Sequence, residues 1–168
     1  MPAHVQVEGR SSSARSKKRL VQSFAARMLR ALGLHTHELS VLLCDDAVMR
    51  RLNRAYRNQD RPTDVLAFAM REGPSSFRSI RDDVLGDVAI SWPTAARQAR
   101  AHGWSAEHEV CMLLAHGLLH VLGFDHATRV QDRRMRARTD VLMTAALTRS
   151  RAVDKLRGRR RSPTADHS

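Results

Sequence analysis

The chain has 168 residues, a net charge of +12 and two cysteines, which bounds it to one domain with room for a sizeable core. Its apolar runs are too short to span a bilayer, and no apolar signal segment follows the charged N-terminus. Cys44 and Cys111 form neither a C-x-x-C pair nor a disulfide framework, so they read as packed thiols in a reducing compartment, the cytoplasm by default.

Val5, Gln6 and Val7 suit a short first strand, and the Ser- and Arg-rich residues 11–16 read as a loop. Over 17–32, Leu20, Val21, Phe24, Ala25, Met28, Leu29 and Leu32 recur at helical spacing, and Gly33 ends the pattern. Residues 39–44 read as a buried strand. Asp45 and Asp46 then cap a helix running to about Tyr56. Pro62 breaks the chain and 63–70 read as a strand. Residues 72–83 look like a mobile hairpin loop, and 84–91 resume a strand in which Gly86 marks a bulge. Trp92 and Pro93 open a helix closed by Gly103, and Ser105 caps the next one, with Glu107 in its first turn. A last helix over 128–147 carries Val130, Met135, Val141, Leu142 and Leu147, and the tail from Arg149 has too little apolar content to pack. Strands mixed irregularly with helices indicate an α+β fold with a small mixed sheet.

The segment HGLLHVLGFDH carries the chemistry. His116 and His120 are four residues apart in an otherwise apolar run. On a helix that is a rotation of about 400° and a rise of about 6 Å, so both imidazoles leave one face. Gly123 is the expected helix stop, after which the chain can turn back and bring His126 to the same point. A single histidine on a buried helix is more often a hydrogen-bonded core residue. Two in an apolar run, followed by a third after a glycine stop, favour a metal site, since burying unpartnered imidazoles is costly. Three neutral imidazoles suit zinc with a fourth position left open, which is a catalytic layout. His4, His35, His37, His102, His108 and His167 lack this arrangement and read as surface or structural.

The spacing H-x3-H-x5-H matches metzincin-type proteases, whose first element is H-E-x-x-H. The glutamate of that element is the general base, and here its position is Gly117. The protease reading therefore weakens, although metal-assisted hydrolysis remains open.

The charge lies mostly at the ends. Residues 1–30 carry seven Lys/Arg against Glu8, 149–168 carry seven against Asp154 and Asp166, and the body between is nearly neutral. Basic ends on a neutral body fit a polyanionic partner, while a compositional bias toward arginine is the plainer alternative.

Two stretches, LNRAYRNQDRPTDVLAF with the later LGDVAIS, and HGLLHVLGFDH, resemble the YbeY family of bacterial endoribonucleases. The resemblance covers roughly 17–148, with a basic segment before it that includes the possible first strand and a basic tail at 149–168. Neither arm has a counterpart in the family pattern. Gly117 in the glutamate position is itself a feature of that family.

The resemblance implies about four strands packed with about five helices around a zincin-like three-histidine site. It implies a metal-dependent, single-strand-specific endoribonuclease engaged in 16S ribosomal RNA 3′-end maturation and ribosome quality control, with ribosomal or small-subunit partners. It assigns one zinc ion per chain to His116, His120 and His126, and a functional role to Arg57. From the residues alone, Arg57 is better explained by a surface salt bridge to Asp60 or Asp64, and the motif match reverses that. Asp125 suits either support of a metal-ligating imidazole or a turn cap. The general base stays open among an activated water, a substrate 2′-OH and a distant acid. A zinc peptidase and a non-catalytic RNA-binding factor are the competing readings.

Overall fold

The computed structural model describes residues 3–9, 13–70 and 83–148. In chain order these form β1 (Ala3–Glu8), α1 (Ala14–Ala31), β2 (Glu38–Cys44), α2 (Asp46–Arg57), β3 (Val65–Ala69), β4 (Val84–Ser91), α3 (Trp92–His102), α4 (Ala106–Val121) and α5 (Arg129–Leu147). Most of the expected hairpin loop and the whole basic tail lie outside the described residues. The strands make one mixed sheet in the order β1-β2-β4-β3. β1, β2 and β4 are parallel, and β3 runs antiparallel to β4 along one edge. The fold is α+β, as expected.

The two faces of the sheet follow from alternation along the strands. Leu39, Val41 and Leu43 of β2, with Val88 and Ile90 of β4, point into the main core, where α1, α4 and α5 supply most of the rest. The opposite face carries a smaller cluster in which Cys44, Leu66 and Ala89 meet Val48 and Met49 of α2. β1 joins the main core through Ala3 and Val5, while His4 and Gln6 face outward. Gly86 marks a bulge, as expected, because the β2–β4 register slips by one residue between Glu38 and Leu39.

Helix caps agree with the sequence. Asp45 accepts from the Val48 N–H at 2.9 Å, and Ser105 accepts from the His108 N–H at 3.1 Å. Thr128 and Gln131 form a reciprocal capping box at the start of α5. Two expectations shift. α1 begins at Ala14, inside the stretch read as a loop, because its polar first turn carries no apolar periodicity. In α5, Met135, Leu142 and Ala146 are buried, but Val130, Val141 and Leu147 are exposed. Only one stripe of that helix meets α1 and α4, and Val141 stands about 100° from Leu142 around the axis. Cys44 and Cys111 are free and buried, and burial pushes both thiols up to about 12.

Candidate metal centre

α4 runs through the middle of the molecule, touching the sheet, α1, α3 and α5, so most of its circumference is buried. His116 and His120 leave the one side that opens beside β3, and both are half-buried. Their Nε2 atoms are 3.1 Å apart. The helix then closes on a Schellman turn: the Gly123 N–H donates to His120 O and the Phe124 N–H to Leu119 O, both at 3.0 Å, with Gly123 at φ +93°. Asp125 completes the turn by accepting from the His126 N–H at 2.7 Å. Of its two expected roles, the turn cap is the one its hydrogen bond serves. His126 is thereby returned to the site, and one nitrogen from each of the three rings lies within 4.8 Å of the others.

The electrostatics favour the metal-ligating form. Burial, followed by the neighbouring His120 and His126, holds the His116 imidazole below its ordinary pKa, with Asp64 acting in opposition. For His120 the causes are burial and His126, with Arg57 adding to them and Asp125 opposing. Both rings are therefore neutral near pH 7, which frees a nitrogen lone pair for a cation. Among the described residues this is the one His/Cys/Asp/Glu group able to hold a metal ion. The donor set, three imidazoles without a thiolate, fits zinc or another borderline divalent ion.

Gly117 faces the sheet. A Cβ built there would lie 2.7 Å from Val88 Cγ1 and 3.3 Å from Val65 Cγ2, with Val88 buried in the core. Glycine at this position lets α4 press onto β3 and β4, and a glutamate would have to force them apart. Gly117→Ala is expected to destabilise the fold by about 1–2 kcal/mol. Overpacking costs about 1–3 kcal/mol, and better helix propensity returns up to about 1. A lower denaturant midpoint would show it, while an unchanged one would mean that Val88 yields freely.

Arg57, the last residue of α2, comes to the same place from far away in sequence. Its guanidinium donates to Ala67 O at 3.0 Å and lies over the Phe68 ring, 5.2 Å from the centroid. Together with Asp64, His116 and His120 it lines a cavity of about 410 Å³. Neither expected salt-bridge partner is its own. Asp60 takes a bidentate pair from Arg50 at 2.8 and 3.0 Å, and Asp64 Oδ1 accepts from the Val65 N–H at 2.7 Å.

The loop between α2 and β3 is held by its own motif. The buried Asn53 side chain donates to Arg61 O at 2.8 Å, the Gln59 N–H donates to Asn53 O, and the Ser91 N–H donates to Asp64 O at 2.9 Å. Asp64 in the cavity was legible only as an ion-pair partner for Arg57; its place beside His116 has no local sequence signal.

The other histidines stand apart from the site. His102 and His108 flank the Trp104 ring at 4.7 and 5.0 Å, His4 and His35 are exposed, and His37 is half-buried. His167 lies outside the described residues.

A family profile described as Endoribonuclease YbeY matches residues 5–146. The chain belongs to the YbeY family. Among YbeY proteins it is 47% identical to the endoribonuclease YbeY of Aquifex aeolicus over 110 residues, covering 66% of this chain and 70% of the relative. It is 45% identical to that of Geobacter metallireducens over 120 residues, 70% and 79% of the two chains. The match to the Anaeromyxobacter YbeY is 42% over 160 residues, 90% and 81%. In three dimensions the chain is similar to the solution structure of a Thermotoga maritima protein, with a TM-score of 0.57 and 21% identity over 97% and 99% of the two chains, a likeness of fold.

Proposed function

We propose that this protein is a metal-dependent endoribonuclease, specific for single strands, with one zinc ion on His116, His120 and His126. In this reading it acts in the cytoplasm on the 3′ end of 16S ribosomal RNA and in ribosome quality control, beside ribosomal small-subunit proteins. The observation that supports it most is the shared cavity, in which Arg57 stands with His116 and His120. Family membership supplies the activity, and the basic ends suit a polyanionic substrate.

The chain's own residues divide the work as follows. His116, His120 and His126 hold the ion, which supplies Lewis acidity when bound. Arg57 presents a planar fork that can bind two oxygens of the scissile phosphate and neutralise charge building there. Its bond to Ala67 O ties the guanidinium to β3 beside the cavity that Arg57 lines. Asp64 lines the same cavity, with its Oδ1 held by the Val65 N–H. The tight packing at Gly117 weighs against a peptidase, since any side chain there must displace Val88.

The test is a zinc assay and a cleavage assay on one preparation, with a labelled single strand and the same sequence as a duplex. Zinc in about a one-to-one ratio, cleavage of the strand alone, loss with chelator and return with added zinc are expected. Cleavage that survives full metal removal would reject the metal dependence. Equal cutting of the duplex would reject the strand specificity.

A further inference from the structure

The sheet face opposite the main core is only partly covered. α2 packs over Cys44, Leu66 and Ala89, leaving His4, Gln6, Ser40 and Asp87 exposed on the remaining strands. A cavity of about 850 Å³ opens there, with Tyr56 and Phe68 among its lining residues. That is within the range of about 300–1,000 Å³ typical of small-molecule clefts. Arg57 lines this cavity and the metal-site cavity alike, so the two share that residue.

Tyr56 is the only tyrosine of the chain, and 65% of it is exposed. Its ring is braced against Phe68, with centroids 5.2 Å apart at 57°, and Phe68 also carries the Arg57 guanidinium over its ring. A large ring left in water on a surface helix contributes little to the core, and such patches mark binding surfaces. Aromatic faces beside an arginine are what unpaired bases stack on. A duplex keeps its bases stacked on one another and cannot offer them.

The charges sort the two ends of a nucleotide. Arg57 attracts a phosphate at the junction, whereas Glu8 and Asp87 along the groove repel phosphate and can accept hydrogen bonds from exocyclic base amines.

We propose that Tyr56, braced by Phe68, is a stacking subsite for the unpaired base next to the phosphate held at Arg57. The subsite rests on the single-strand reading above and gives it a structural origin. A protein side chain seated in the same groove is the rival occupant.

Metal-free protein isolates binding from catalysis. The probe is a fluorescently labelled oligoribonucleotide, as a single strand and as a duplex, titrated with wild type, Tyr56→Phe and Tyr56→Ala. Tyr56→Ala should bind the strand about tenfold more weakly and the duplex unchanged, and Tyr56→Phe should match wild type. A 2-aminopurine in the strand should report stacking with wild type and the Phe variant and lose that signal with Ala. Strand binding by Tyr56→Ala as tight as wild type would overturn the subsite, leave the strand preference standing and assign the groove to a protein contact. A wild type that binds strand and duplex equally would overturn the subsite and the single-strand reading together.

Discussion

His120→Ala is expected to strip the protein of its metal and reduce RNA cleavage to the metal-free background, with the helices retained. Two ligands cannot hold zinc against dilution and chelator as three do, because each lost donor leaves a coordination position to water. The ring is half-buried and its Nε2 faces that of His116, so its removal opens a small space at the rim of α4 and leaves the core intact. Zinc content by elemental assay, cleavage rate and the far-ultraviolet circular dichroism spectrum together read this out. A variant that keeps its zinc, or cuts without it, would remove His120 from the metal set.

The same residue gives the metal-free protein an acid-sensitive component of stability. His116 and His120 have folded-state pKa values below the ordinary 6.5. Below about pH 6.5 the unfolded chain therefore binds more protons than the folded one, and stability falls as pH drops. Bound metal should deepen the dependence, since protons must then displace it. In metal-free His120→Ala the acid loss should be smaller than in metal-free wild type, which thermal melts from pH 7.5 to 5 would show.

Arg57→Ala is expected to slow RNA cleavage by about 10²–10³-fold, the usual cost of removing one donor aimed at developing charge, while metal content stays unchanged. The residue is exposed, and its bond to Ala67 O is a surface bond, so the melting point should barely move. Arg57→Lys should recover only part of the rate, since an ammonium keeps the charge but lacks the planar two-pronged fork. An independent sign comes from His120, whose protonation Arg57 disfavours. Without the guanidinium, protons should compete with zinc at a slightly higher pH. Near-normal cleavage by Arg57→Ala would confine the residue to binding the β3 backbone.

Much of the candidate metal site was legible because its geometry is local. Two histidines four apart must share a helix face, and Gly123 at positive φ makes the turn that returns His126. Caps such as Ser105 and Asp45 were equally readable, each being a side chain bonded within three residues of itself. Periodicity was a weaker guide for α5, where it marked apolar residues without saying which stripe would find a neighbour. It missed the start of α1, where the first turn, Ala14 to Lys17, carries no large apolar residue.

The sequence by itself determined the secondary-structure elements, the α+β class and the three histidines, because spacing, capping and glycine stops act over a few residues and need no partner. Only the tertiary structure decided what surrounds the histidines. The sheet order β1-β2-β4-β3 brings edge strand β3 and the end of α2 against α4, carrying Arg57 and Asp64 to a site more than fifty residues away in the chain. It settled the pairing of Asp60 with Arg50, the close packing of Gly117 on Val88 and the groove beside Tyr56. The Gly117 contact and the groove join elements distant in sequence, and such contacts exist only once the sheet has chosen its order and the helices their faces.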